Sequence, residues 1–115
     1  MEKDAPKSAK RIAVAWFRRA EYPVHRALDP ENLQDTFDEW ERNARKVRRQ
    51  LKRGGVHTTP VLLSPEELIA WCRERLCAIG PRARAELAAE RLAEQSRQEA
   101  AMRADDWSDA GDEGE

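Results

Sequence analysis

The sequence predicts an α/β fold: a small β-α-β-α-α unit with a short, two-stranded parallel sheet, packed amphipathic helices and a projecting C-terminal helix. Three observations carry this. Two short apolar runs, Ile12–Phe17 and Val56–Leu63, bracket a stretch of helical periodicity. Two segments, Thr36-Phe37-Asp38-Glu39 and Ser64-Pro65-Glu66-Glu67, have the spacing of a capping box. In that motif a hydroxyl accepts from the backbone N–H three residues on, and the glutamate there reaches back. Gly54-Gly55 and Gly80-Pro81 then mark where helices stop.

Met1–Lys10 reads as a flexible lead. In Ile12-Ala13-Val14-Ala15-Trp16-Phe17 a helical wheel scatters Ile12, Val14 and Phe17, so a strand buried on both faces fits better. Arg18-Arg19 ends it. Pro23 suits the first position of a short helix, where its missing N–H is not needed, and Val24 and Leu28 share a face. Asp29-Pro30-Glu31-Asn32 repeats the cap-plus-proline start and predicts a single helical turn. After Thr36, the residues Phe37, Trp40, Ala44, Val47 and Leu51 form one apolar stripe. The acids of this helix lie early and its bases late, matching the helix dipole. Pro60 lacks a ladder donor and marks the second run as an edge strand or a bulge.

The helix from Pro65 lines up Leu68, Ile69, Cys72, Leu76 and Ile79, with Trp71 at the margin. The last helix differs: Leu87 and Leu92 lie about 140° apart on the wheel and make no single stripe. It should project or lie shallowly, supported by surface pairs such as Glu94 with Arg97 and Glu99 with Arg103. A strand, a helix and a strand in one sheet give a parallel, right-handed crossover. Two strands alone make a poor sheet, and a homodimer is the economical resolution.

The 115 residues suffice for one domain, placed at 11–102 between the lead (1–10) and an acidic disordered tail (103–115). With 37% charged residues the core is modest, so the domain should lean on a partner or a second copy. Residues 1–102 carry 20 basic and 16 acidic side chains; residues 103–115 carry one basic and six acidic. The tail therefore opposes a mildly basic body and has too little apolar surface to order itself. No apolar run reaches the length of a membrane span. The polar N-terminus has no signal-like apolar stretch, which sets the expectation of a cytoplasmic location. The two cysteines, Cys72 and Cys77, placed on one helix, would sit roughly 8–9 Å apart on different faces, too far for an unstrained disulfide.

The sharpest candidate site is a basic stripe, Arg42, Arg45, Lys46, Arg49, Lys52 and Arg53, with Arg48 beside it. Such a face can follow phosphates or an acidic protein surface. Set against that, Asp38 and Glu41 stand four residues before Arg42 and Arg45, the arrangement of an ordinary solvated helix face. A second candidate lies at the carboxyl end of the first strand, where open α/β sheets place ligands. There Arg18, Arg19, Tyr22 and His25 could hold an anion, although no glycine-rich phosphate loop follows the strand. The third is Trp107, a single aromatic amid tail acids and a candidate partner anchor. His25, His57, Cys72 and Cys77 lack metal-ligand spacing. No nucleophile triad, phosphate loop or dinucleotide fingerprint occurs, so neither catalytic residues nor a cofactor are expected.

Three segments also share a pattern. Trp16-Phe17-Arg18-Arg19 with Tyr22-Pro23, Thr36-Phe37 with Glu39-Trp40, and Pro65-Glu66-Glu67-Leu68-Ile69-Ala70-Trp71-Cys72 follow one another in this order. In this the chain resembles, over residues 12–100, a set of small, functionally uncharacterised bacterial proteins with W-[FY]-R-R…P, T-[FY]-x-E-W and P-x-E-[FL]-x-A-W-C motifs. The resemblance implies a bacterial origin and nothing about activity. The expected function is a non-catalytic protein-interaction module of adaptor or inhibitor type, a class that includes small proteins encoded on mobile elements, binding through a helical face or the acidic tail. The alternative is a nucleic-acid-associated regulator using Arg42–Arg53.

Overall fold

The computed structural model describes the backbone of residues 11–114 and the side chains of residues 11–102. Strand β1 (Arg11–Trp16) leads through a 3-10 turn (Arg19–Glu21) into helix α1 (Tyr22–Leu28). Helix α2 (Phe37–Arg53), strand β2 (His57–Leu62), helix α3 (Pro65–Arg75) and helix α4 (Pro81–Gly114) follow. The strands pair in parallel with Val14 opposite Pro60 and Trp16 opposite Leu62, so the mixed α/β unit expected from the sequence is present. In a two-stranded sheet each strand is an edge, which accommodates Pro60. Among the described residues no helix is long and apolar enough to cross a membrane.

Both capping serine/threonine positions start helices. Ser64 completes the reciprocal box: its Oγ accepts from the Glu67 N–H at 3.2 Å, and its own N–H donates to Glu67 Oε2 at 2.8 Å. Thr36 makes half of it, accepting from the Glu39 N–H at 3.2 Å. The two helices also end alike. In α2 the Val56 N–H bonds the Leu51 carbonyl at 2.8 Å and the Gly55 N–H bonds that of Lys52 at 2.9 Å, with Gly55 at φ 86°. In α3 the Cys77 N–H bonds the Cys72 carbonyl at 3.0 Å and the Leu76 N–H bonds that of Arg73 at 3.3 Å, with Leu76 at φ 54°. Both are Schellman closures, which turn the last carbonyls inward through one left-handed residue.

Two cores flank the sheet. On one face Val61 and Leu63, with Ala13 and Ala15, pack against Leu68, Trp71 and Cys72 of α3 and Ala83, Leu87 and Ala88 of α4. The other core is aromatic: Phe17, Tyr22, Leu33 and Trp40, with Trp16 and Phe37 against them. Ring centroids of Trp16 and Phe17 lie 4.9 and 4.8 Å from that of Trp40, within the range of favourable tilted and edge-on contacts.

Five expectations are corrected. β1 is half-buried rather than buried on both faces, and Ile12 stays 48% exposed. The aromatic core covers the carboxyl end of the sheet, at Trp16 and Phe17, and not the end holding Ile12. Helix α1 buries Tyr22 and His25 and leaves Val24 exposed, because His25 can both stack on Phe17 at 4.2 Å and bond the Leu63 carbonyl at 3.1 Å. Asp29–Asn32 forms a hydrogen-bonded turn and no helix, its carboxylate being drawn into a buried ion pair with Arg84 at 2.8 Å. Helix α3 stops at Arg75, so Leu76 leaves the apolar face and is 93% exposed. Lastly, α4 packs closely on the sheet over its first three turns. Buried Ala83, Arg84, Leu87 and Ala88, continued by half-buried Arg91 and Leu92, form one stripe, whose two alanines let helix and sheet approach closely. Only beyond residue 92 does it run exposed on all sides as far as side chains are described, as a projecting helix would. Its backbone is helical to Gly114, so no break in secondary structure marks position 103; the side chains of the acidic tail lie outside the described residues.

Candidate basic groove

Helix α2 crosses beside the start of β2 and leaves a concave surface between them. A cavity of about 310 Å³ is lined there by Arg45, Arg48, Arg49, Lys52, Val56, His57 and Thr58. Its floor is set by Arg48, the half-buried cation among the lining residues. The guanidinium donates Nε to Thr58 Oγ1 at 2.7 Å and Nη2 to the Thr58 carbonyl at 3.2 Å. It also lies 5.8 Å from the Trp16 ring centroid, in cation–π range. These contacts fix one cation before any ligand arrives, and a fixed guanidinium loses less entropy on binding an anion than a free one.

Around Arg48 the stripe divides. Arg45 is on the rim and already meets Glu41 at 3.0 Å. Arg49 and Lys52 are exposed on the rim, joined by His57 of β2. Arg42, Lys46 and Arg53 are exposed along the same helix but outside the cavity. Sequence reasoning found Arg45, Arg49 and Lys52 and left Arg48 at the margin; it missed His57 and Thr58. Their contribution depends on β2 returning beside the last turns of α2, which the Schellman turn at Gly55 brings about. Val47, assigned to the apolar stripe, is 44% exposed.

The second candidate cluster is taken apart by the fold. Tyr22 is buried and donates its hydroxyl to the Gln34 carbonyl at 2.6 Å; burial pushes its pKa up. His25 is buried too, and burial pushes its pKa down, against the Leu63 carbonyl bond that works the other way. Arg18 pairs with Glu21 at 3.4 Å, while Arg19 pairs with Asp38 at 3.0 Å and covers the Phe37 ring. Two of the four side chains are therefore core and two are surface, each surface arginine held by its own carboxylate. Trp107 lies outside the described side chains. Among the described residues no group of three or more histidine, cysteine or acidic side chains is placed to hold a metal ion.

Compared with protein-family models, with curated proteins and with solved structures, the chain shows no match.

Proposed function

We propose that this chain is a non-catalytic recognition module that docks an acidic protein segment in the groove between α2 and β2. One observation carries the reading: Arg45, Arg49 and Lys52 ring a concavity whose floor is a guanidinium already anchored to Thr58. Guanidinium groups stay protonated and bind carboxylates in a fork without reacting with them. A short acidic peptide offers several carboxylates at the spacing of neighbouring side chains, and a groove offers shape as well as charge. An adaptor or an inhibitor, including one carried on a mobile element, works by such docking. The acidic tail is a second, oppositely charged surface for the same role. The half-exposed Ile12 and Leu62, on one face of a two-stranded sheet, support a homodimer. A single sedimenting species of monomer mass at micromolar concentration would remove that part.

The groove is tested by titrating the full chain with a short poly-glutamate peptide, duplex DNA and single-stranded RNA at low and physiological salt. The peptide should bind best. Reversing Arg49 and Lys52 to glutamate should weaken it by about tenfold or more, equivalent to about 1.4 kcal/mol. Tighter, steeply salt-dependent binding of DNA or RNA would overturn the protein reading in favour of a nucleic-acid-associated regulator using Arg42–Arg53. Equal peptide binding by the reversed variant would remove the groove from either reading.

A further inference from the structure

The Schellman closure at the end of α3 places two thiols together. In this motif the residue after the left-handed position packs its side chain back against the last helical turn. At the end of α2 those partners are Val56 and Leu51; at the end of α3 they are Cys77 and Cys72. The Cys77 N–H to Cys72 carbonyl bond is 3.0 Å long. Added to the backbone bond lengths at each end, it holds the two Cα atoms within about 7 Å, inside the reach of a disulfide. A continuous helix would have kept them apart, which is why sequence spacing predicted diverging thiols. The Cys72 thiol is buried and points toward the Ala78 carbonyl, 3.8 Å away. Cys77 is exposed and lines a cavity of about 500 Å³ together with Trp71, Arg75 and Ala78.

We propose that Cys72 and Cys77 form a reversible redox pair, closed to an intramolecular disulfide by a low-molecular-weight disulfide entering through the cavity at Cys77. The Cys77 thiolate attacks one sulfur of the small disulfide, RSSR. A mixed disulfide forms, and the first RS⁻ leaves and takes up the proton that Cys77 gave to water. The Cys72 sulfur then attacks the Cys77 sulfur, the protein S–S bond forms, and the second RSH departs with the Cys72 proton. Two protein thiols are oxidised and one RSSR is reduced to two RSH. Burial, and then the Cys77 thiol beside it, push the Cys72 pKa up to about 11. That fits the order of steps, since Cys72 is held protonated until its neighbour has become the electrophile.

The experiment equilibrates the full chain in buffers of reduced and oxidised glutathione, traps free thiols with iodoacetamide and weighs the intact protein. The expected result is a species lighter by two hydrogens, in which both thiols disappear together. Dithiothreitol should restore it, and Cys77→Ser should lose it while keeping the circular dichroism of the parent. Cys77→Ser is chosen because its side chain is exposed. A stable glutathione adduct at Cys77 with Cys72 still alkylatable after unfolding, a disulfide-linked dimer as the sole oxidised product, or no oxidation at all would each overturn the proposal.

Discussion

Leu76→Gly should stabilise this protein. Leu76 sits at φ 54° and ψ 45°, the one non-glycine residue with positive φ among those described. The same position in the equivalent turn of α2 is Gly55. A side chain in the left-handed region costs about 1–2 kcal/mol. Glycine returns about 0.5–1 kcal/mol of that through the greater freedom of the unfolded chain. Leu76 is 93% exposed, so its removal sacrifices almost no buried apolar area. The balance is a gain of about 0.5–1 kcal/mol, which for a domain of this size raises Tm by about 2–5 °C. The assay is thermal and urea unfolding followed by far-ultraviolet circular dichroism under reducing conditions, with the urea slope unchanged between variants. Leu76→Ala is the control. It removes the same exposed atoms but keeps the Cβ, so it should stay within about 0.5 kcal/mol of the parent. A Leu76→Gly variant no more stable than Leu76→Ala would show that no left-handed residue closes α3, and the paired thiols would lose their geometric basis.

Other perturbations follow from the buried polar groups and caps. Asp29→Ala strands the Arg84 guanidinium in the core without its carboxylate and should cost about 3–5 kcal/mol in urea unfolding, whereas replacing both by leucine and methionine should recover most of it. Stability should fall as pH drops below about 6.5 on account of His25. Its folded pKa is lowered from 6.5, so the unfolded chain takes up the proton first, and the stabilisation present above that value is lost as pH falls through it. Protonation would place a charged N–H at Nδ1, which has no partner among the described groups; Glu21, Glu66 and Arg84 are the charges that act on the ring, and Arg84 adds to the penalty. A His25→Gln variant should flatten this pH dependence in the same denaturation assay. Finally, Ser64→Ala should cost about 1–2 kcal/mol and Thr36→Ala about 0.5–1 kcal/mol, because only Ser64 closes both bonds of its box. Equal losses would contradict the difference in capping.

Element order, the starts of α2 and α3 and the parallel pairing were legible in the chain because each is written in local chemistry. Hydroxyl-to-glutamate spacing, the double glycine at 54–55 and apolar runs too short for helices act over a few residues. The basic stripe was legible for the same reason, as a periodicity along one helix. The groove was not. It requires Thr58 and His57 to return beside Arg48, and that juxtaposition joins residues from two elements through a turn whose direction only the fold sets. The role of α4 was hidden as well, since a stripe that mixes Ala83, Leu87, Ala88 and Leu92 with Arg84 and Arg91 has little apolar signal until a sheet is found to lie against it.

The sequence by itself determined where α2 and α3 begin, which segments extend and where charge gathers, because capping, alternation and helical periodicity are short-range properties of neighbouring residues. Tertiary structure alone decided that His25, Asp29 and Arg84 go inside, that Arg48 becomes the floor of a groove and that Cys77 turns back toward Cys72. In each case the deciding force is the need of a buried polar atom or an unpaired carbonyl to find a partner, and that partner is remote in sequence or is reached through a left-handed turn that spacing does not announce.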